Sequence, residues 1–79
     1  MPVVFRHEGY RFYFYSHEPN EPPHVHIDQA EATAKIWLEL VALASNAGFS
    51  PRELGLLLRM TRDHQQMFLE SWYGFFGRD

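Results

Sequence analysis

The chain has 79 residues, 46% of them hydrophobic, with no cysteine and a net charge of −3. This length makes one domain. The missing thiols exclude disulfide staples and thiolate zinc sites, and the acidic balance excludes a global basic field for nucleic acid while leaving room for a local one. The opening Met1-Pro2-Val3-Val4-Phe5-Arg6 is too short and too soon charged for a signal peptide. No apolar run reaches the roughly 20 residues of a membrane span, so a cytoplasmic protein is expected. There is no internal repeat or low-complexity segment.

In chain order, residues 3–6 and 10–15 alternate as strands, and Gly9 between them supplies the positive φ of a tight hairpin. Residues 16–23 form a loop carrying Pro19, Pro22 and Pro23. A third strand is predicted over 24–28 and a fourth over 34–38. Residues 39–47 fit a short helix or a further strand. Ser50-Pro51-Arg52-Glu53 then carries a capping box with proline at the first helical position. The stripe of Leu54, Leu57, Leu58, Thr61, Gln65, Phe68, Leu69, Trp72, Phe75 and Phe76 predicts helix up to Gly77. One straight helix over 50–76 would be roughly 40 Å long. A domain of this size is about 30 Å across. The helix is therefore expected to break near residues 61–64, with Asp63 as a cap for a second helix, or to project towards a partner. The expected fold class is α+β: a small, mainly antiparallel sheet of three to four strands followed by C-terminal helix packed on one face.

Side chains alternate across a strand, so parity sorts the sheet into two faces. Val3, Phe5, Tyr10, Phe12, Phe14, Val25, Ile27, Ala34, Ile36 and Leu38 make an apolar face for the helix to cover. Val4, Arg6, Arg11, Tyr13, Tyr15, His24, His26, Asp28, Lys35 and Trp37 fall on the other. Three chemistries fit the second face. Tyr13, Tyr15 and Trp37 suit base stacking, with Arg6, Arg11 and Lys35 on phosphate. His24 and His26 suit a general base and acid for metal-independent RNA cleavage, because imidazole titrates near neutral pH. His24, His26 and Asp28 suit a metal site, with His17, Glu18 or Glu21 as further ligands. Against all three stands the plain polar outer face of an antiparallel sheet, with Tyr13 and Tyr15 as cross-strand packing. Trp72, Phe75 and Phe76 read as core, and His7 and His64 as solvent residues. No motif calls for a cofactor.

The runs Gly9-Tyr10-Arg11-Phe12-Tyr13-Phe14-Tyr15-Ser16, Asn20-Glu21-Pro22-Pro23-His24-Val25-His26 and Ala34-Lys35-Ile36-Trp37-Leu38 resemble the domain-of-unknown-function family 4160. So do Gly48-Phe49-Ser50 with Glu53-Leu54, and the ending Trp72 to Gly77. The Glu-Pro-Pro-His-Val-His element is the most specific. One departure is residues 29–33, which lack the glycine-rich turn of the family. The resemblance implies a small bacterial protein encoded as half of a two-gene module of the toxin–antitoxin kind, with a small protein partner. It assigns no catalytic residue. The expected function is action on RNA or on that partner through the Arg/Tyr/His face. The alternatives are a non-catalytic interaction module, including one that pairs with a second copy, or a metal-binding protein.

Overall fold

The computed structural model describes residues 3–15 and 20–77. Five strands precede two helices: β1 (Val3–His7), β2 (Tyr10–Tyr13), β3 (His24–Gln29), β4 (Ala32–Trp37), β5 (Ala42–Ala47), α1 (Pro51–Asp63) and α2 (Gln65–Phe76). The sheet is an antiparallel meander in the order β1-β2-β3-β4-β5. It has one strand more than the three to four expected, and the C-terminal helix is two helices. No helix among the described residues is long and apolar enough to cross a membrane.

The extra strand is the ambiguous segment. A bulge in the β4–β5 ladder places Lys35 opposite Ser45 but Ile36 opposite Leu43, leaving Ala44 unpaired. The inserted residue breaks the two-residue alternation by which a strand is recognised. A bulge in β1 also corrects the parity of that strand. Val3 pairs with Tyr13 and Phe5 with Phe12, so Val4 packs against the core while Val3 is exposed.

The remaining apolar face is as expected. Phe12, Phe14, Val25, Ile27, Ile36 and Leu38 are fully buried against Leu57, Met60, Phe68 and Trp72 of the helices. The Phe68 ring stacks on Phe12 at 5.5 Å, and Trp72 meets Phe14 edge-on at 5.2 Å. Phe75, expected in the core, is 47% exposed.

Ser50 and Glu53 form the capping box of α1 through bonds of 3.1 Å in both directions. The longest dimension of the molecule is 35 Å, too short for one straight helix over residues 50–76. The break falls at His64, whose backbone (φ −112°, ψ 17°) leaves the helical region. Just before it, the Thr61 hydroxyl donates to the Leu57 carbonyl at 2.8 Å, a bond that competes with the helical ladder. Beyond it, Gln65 Nε2 donates to the carbonyls of Leu38 (2.7 Å) and Glu39 (3.1 Å), tying the start of α2 to the end of β4. Asp63 does not cap α2; His64 occupies the N-cap without a side-chain bond to the first turn of α2. Nor is His64 a solvent residue: it is half-buried, its ring 4.4 Å from Phe5 and its Nδ1 2.9 Å from the Met60 carbonyl.

The β3–β4 turn shows what the missing glycine does. Gln29 pairs with Ala32, so Ala30 and Glu31 alone close the hairpin, and Ala30 adopts φ 54°. An L-residue with a Cβ pays about 1–2 kcal/mol for this conformation, offset in part by the extra unfolded-state entropy of glycine. Ala30→Gly is therefore expected to stabilise the domain by about 0.5–1 kcal/mol, read as a higher urea midpoint at unchanged slope.

Candidate functional site

Sheet register converts the second face into three cross-strand rows. Arg11, Asp28 and Thr33 make the first, Tyr13, His26 and Lys35 the second, and His24 and Trp37 the third. In the first row, Arg11 Nη2 donates to Asp28 Oδ2 at 3.1 Å. From the second row, the Tyr13 hydroxyl donates to Asp28 Oδ1 at 2.9 Å. Burial pushes the Asp28 carboxyl up, but bonds from Thr33, Tyr13 and Arg11 and the Arg11 charge outweigh it, leaving it below the usual carboxylate range. Burial, then bonds with Tyr15 and Asp28, push the Tyr13 phenol well above its ordinary value, so it stays a donor at neutral pH.

The rings form a ladder. Tyr13 stacks on His26 at 5.5 Å and 20°, and Tyr15 meets His26 edge-on at 4.4 Å. The His26 ring lies 5.1 Å from that of His24, nearly perpendicular to it. His24 is bounded in turn by Trp37 at 5.7 Å and by Trp72 of α2 at 4.9 Å. Tyr13 is 3% exposed, His26 9% and His24 0%. Parity grouped these residues correctly, yet the centre of the face is closed rather than open.

The Glu-Pro-Pro-His element has a local structural logic. His24 Nδ1 donates to the Pro22 carbonyl at 2.9 Å, which places the proton on Nδ1. The Pro23 carbonyl accepts from the Leu38 N–H at 3.0 Å, extending the β3–β4 pairing past His24. Proline has no N–H to leave unpaired there. Glu21 forms an ion pair with Lys35, and its carboxylate lies 3.9 Å from His24 Nδ1. Lys35 Nζ also sits 4.8 Å over the Trp37 ring. Val25 is fully buried in the core.

These contacts hold the two prolines beside Trp37. Pro22, Pro23, Trp37, Glu39, Leu40 and Ala42 line an open groove of about 320 Å³. Leu40 is 80% exposed at its rim. Sequence parity missed this groove because Leu40 lies in the β4–β5 turn and the prolines precede β3. The composition signal was present: three apolar residues beside turns, with no intramolecular stripe to join.

Arg6 is exposed and, among the described residues, makes no ion pair. No group of three or more metal-ligating side chains converges among the described residues. His17 and Glu18, considered as further ligands, lie outside them.

An antiparallel five-stranded meander, covered on one face by two helices and closed on the other by a Tyr–His–Trp ladder, defines a small α+β domain. The family model described as Domain of unknown function (DUF4160) matches residues 9–73, and the chain belongs to that family. No curated protein and no solved structure matches the chain.

His24→Ala removes a fully buried ring together with the bond to Pro22 and is expected to cost about 2–4 kcal/mol, measured by urea unfolding. Asp28 has a separate acid signature. Its folded pKa is depressed, so its contribution is complete above the ordinary carboxylate range and is lost as pH falls through the lower folded value. Asp28→Asn should lower stability at neutral pH and flatten the acid limb of a stability–pH curve.

Proposed function

We propose that this chain is a non-catalytic recognition module whose partner is a small protein encoded beside it in a bacterial two-gene module of the toxin–antitoxin kind. One observation carries the reading. The signature segment is committed to holding Pro22 and Pro23 against Trp37, beside the exposed Leu40. An apolar aromatic groove with a polar rim is the usual anchor point of a protein interface.

Acid–base chemistry fits less well. A general acid or base needs to reach the proton that it moves, and His24 is fully buried with Nδ1 engaged. RNA contact on this face also fits less well than a protein. Asp28 and Glu21 neutralise Arg11 and Lys35, and Tyr13 offers almost no ring surface for stacking. The exposed Arg6 and the half-buried Tyr15 and Trp37 remain as the accessible members of the set proposed for RNA.

The test is calorimetric titration of the purified chain with the product of the adjacent gene. Leu40→Asp and Trp37→Ala are expected to weaken binding about 30-fold or more, as hot-spot losses of about 2 kcal/mol require. Undiminished binding by both variants would remove the groove from the interface. Self-association abolished by Leu40→Asp, without binding of the neighbour, would reassign the groove to a second copy. Cleavage of RNA by the wild type, lost in a folded His26→Gln variant, would overturn the non-catalytic reading.

A further inference from the structure

Apart from Arg6 on β1, the described cations that make no ion pair lie elsewhere. The exposed side of α1 carries Arg52, Arg59 and Arg62, with Gly55 and Leu56 between them. At 100° per residue these positions share one stripe, and at 1.5 Å per residue they span about 15 Å. Among the described residues, none of the three arginines makes an ion pair or a side-chain hydrogen bond. The acidic groups of the same helix are Glu53 and Asp63. Glu53 is engaged with the Ser50 N–H and, after burial, helps push the Tyr10 phenol above its ordinary value, while Asp63 closes the C-terminal end of the stripe.

Gly55 is the second observation. Mid-helix glycine is unfavourable, and a Cβ built there would meet nothing within 4 Å, so no packing contact among the described residues calls for it. It lies in an open notch of about 400 Å³ lined by Arg52, Glu53, Gly55, Leu56 and Arg59.

We infer that the exposed side of α1 binds the phosphodiester backbone of duplex DNA, with Arg52, Arg59 and Arg62 on phosphates and the Gly55 notch admitting the strand. Arginine suits phosphate because its planar fork gives two parallel hydrogen bonds. The stripe carries only Leu56 as exposed apolar surface, too little for a protein hot spot, whereas contact dominated by charge is what a phosphate backbone offers. A helix exposed along one whole side also fits the major groove of B-DNA, about 12 Å wide, and not the narrow one of A-form RNA. The site is separate from the Trp37 groove and does not depend on it.

The test is fluorescence anisotropy of a labelled DNA duplex of about two helical turns. Duplex RNA and poly-L-glutamate serve as parallel arms. Binding to DNA should fall between about 50 and 200 mM salt with a log–log slope near −2.7 for three phosphate contacts. Arg59→Gln should reduce that slope by about one, and the triple glutamine variant should weaken binding at least about tenfold. Circular dichroism should show both variants folded. Gly55→Ala should raise the melting temperature while weakening DNA binding. Three results would overturn the inference: no salt-dependent binding at about 50 mM, equal affinity of the folded triple variant, or preference for either parallel arm.

Discussion

The contact on which the rest depends is the bond from the buried His24 imidazole to the Pro22 carbonyl. A polar ring without solvent access is tolerated only when its nitrogens are satisfied, and no described buried side-chain polar atom lacks a partner. The bond pins a segment whose prolines already limit its freedom, so little entropy is lost in holding it. It sets the wall of the groove, and the Tyr13–His26–His24–Trp37 ladder stacks outward from it. The same ring touches Trp72, which couples the groove to α2 and the core.

Two charged systems flank the ladder and close it. Asp28 collects bonds from Arg11 and Tyr13 at one end, and Glu21 holds Lys35 at the other. Both are partly buried, so each pair gains more from Coulomb attraction than an exposed surface pair would. Apart from the exposed Arg6, the cations of this face are thus paired within it, and its outward character at the Trp37 end is apolar. The helical side of the molecule is the reverse: its core contacts are apolar and its outer stripe carries unneutralised arginines. An acidic chain can present a cationic helix surface in this way because the sheet pairs Arg11 and Lys35 with its own carboxylates.

Much of the fold was legible because the alternation of Tyr10 to Phe14 and of His24 to Asp28 is uninterrupted, and because the Ser50–Glu53 capping box marks a helix start without ambiguity. What was hidden came from single-residue insertions. The bulges at Val4 and Ala44 reverse parity inside β1 and β5, and no propensity argument locates them. The helix break near residues 61–64 followed from a length argument, but its position at His64 depends on Gln65 reaching Leu38 across the fold. Which residues share the ladder face was readable from parity, whereas its burial was not, and neither was the groove formed by Pro22, Pro23 and Leu40 beside Trp37. Closure depends on Trp72 arriving from α2 and on carboxylate partners that periodicity does not pair.

The central claim is that His24 is a structural clamp rather than an acid–base group. The most direct measurement is long-range proton–nitrogen NMR of the imidazole rings at neutral pH. The His24 ring should carry a proton on Nδ1 that exchanges slowly with solvent, as the bond to Pro22 requires. A ring protonated on Nε2 alone, or one whose Nδ1 proton exchanges freely with water, would contradict this role.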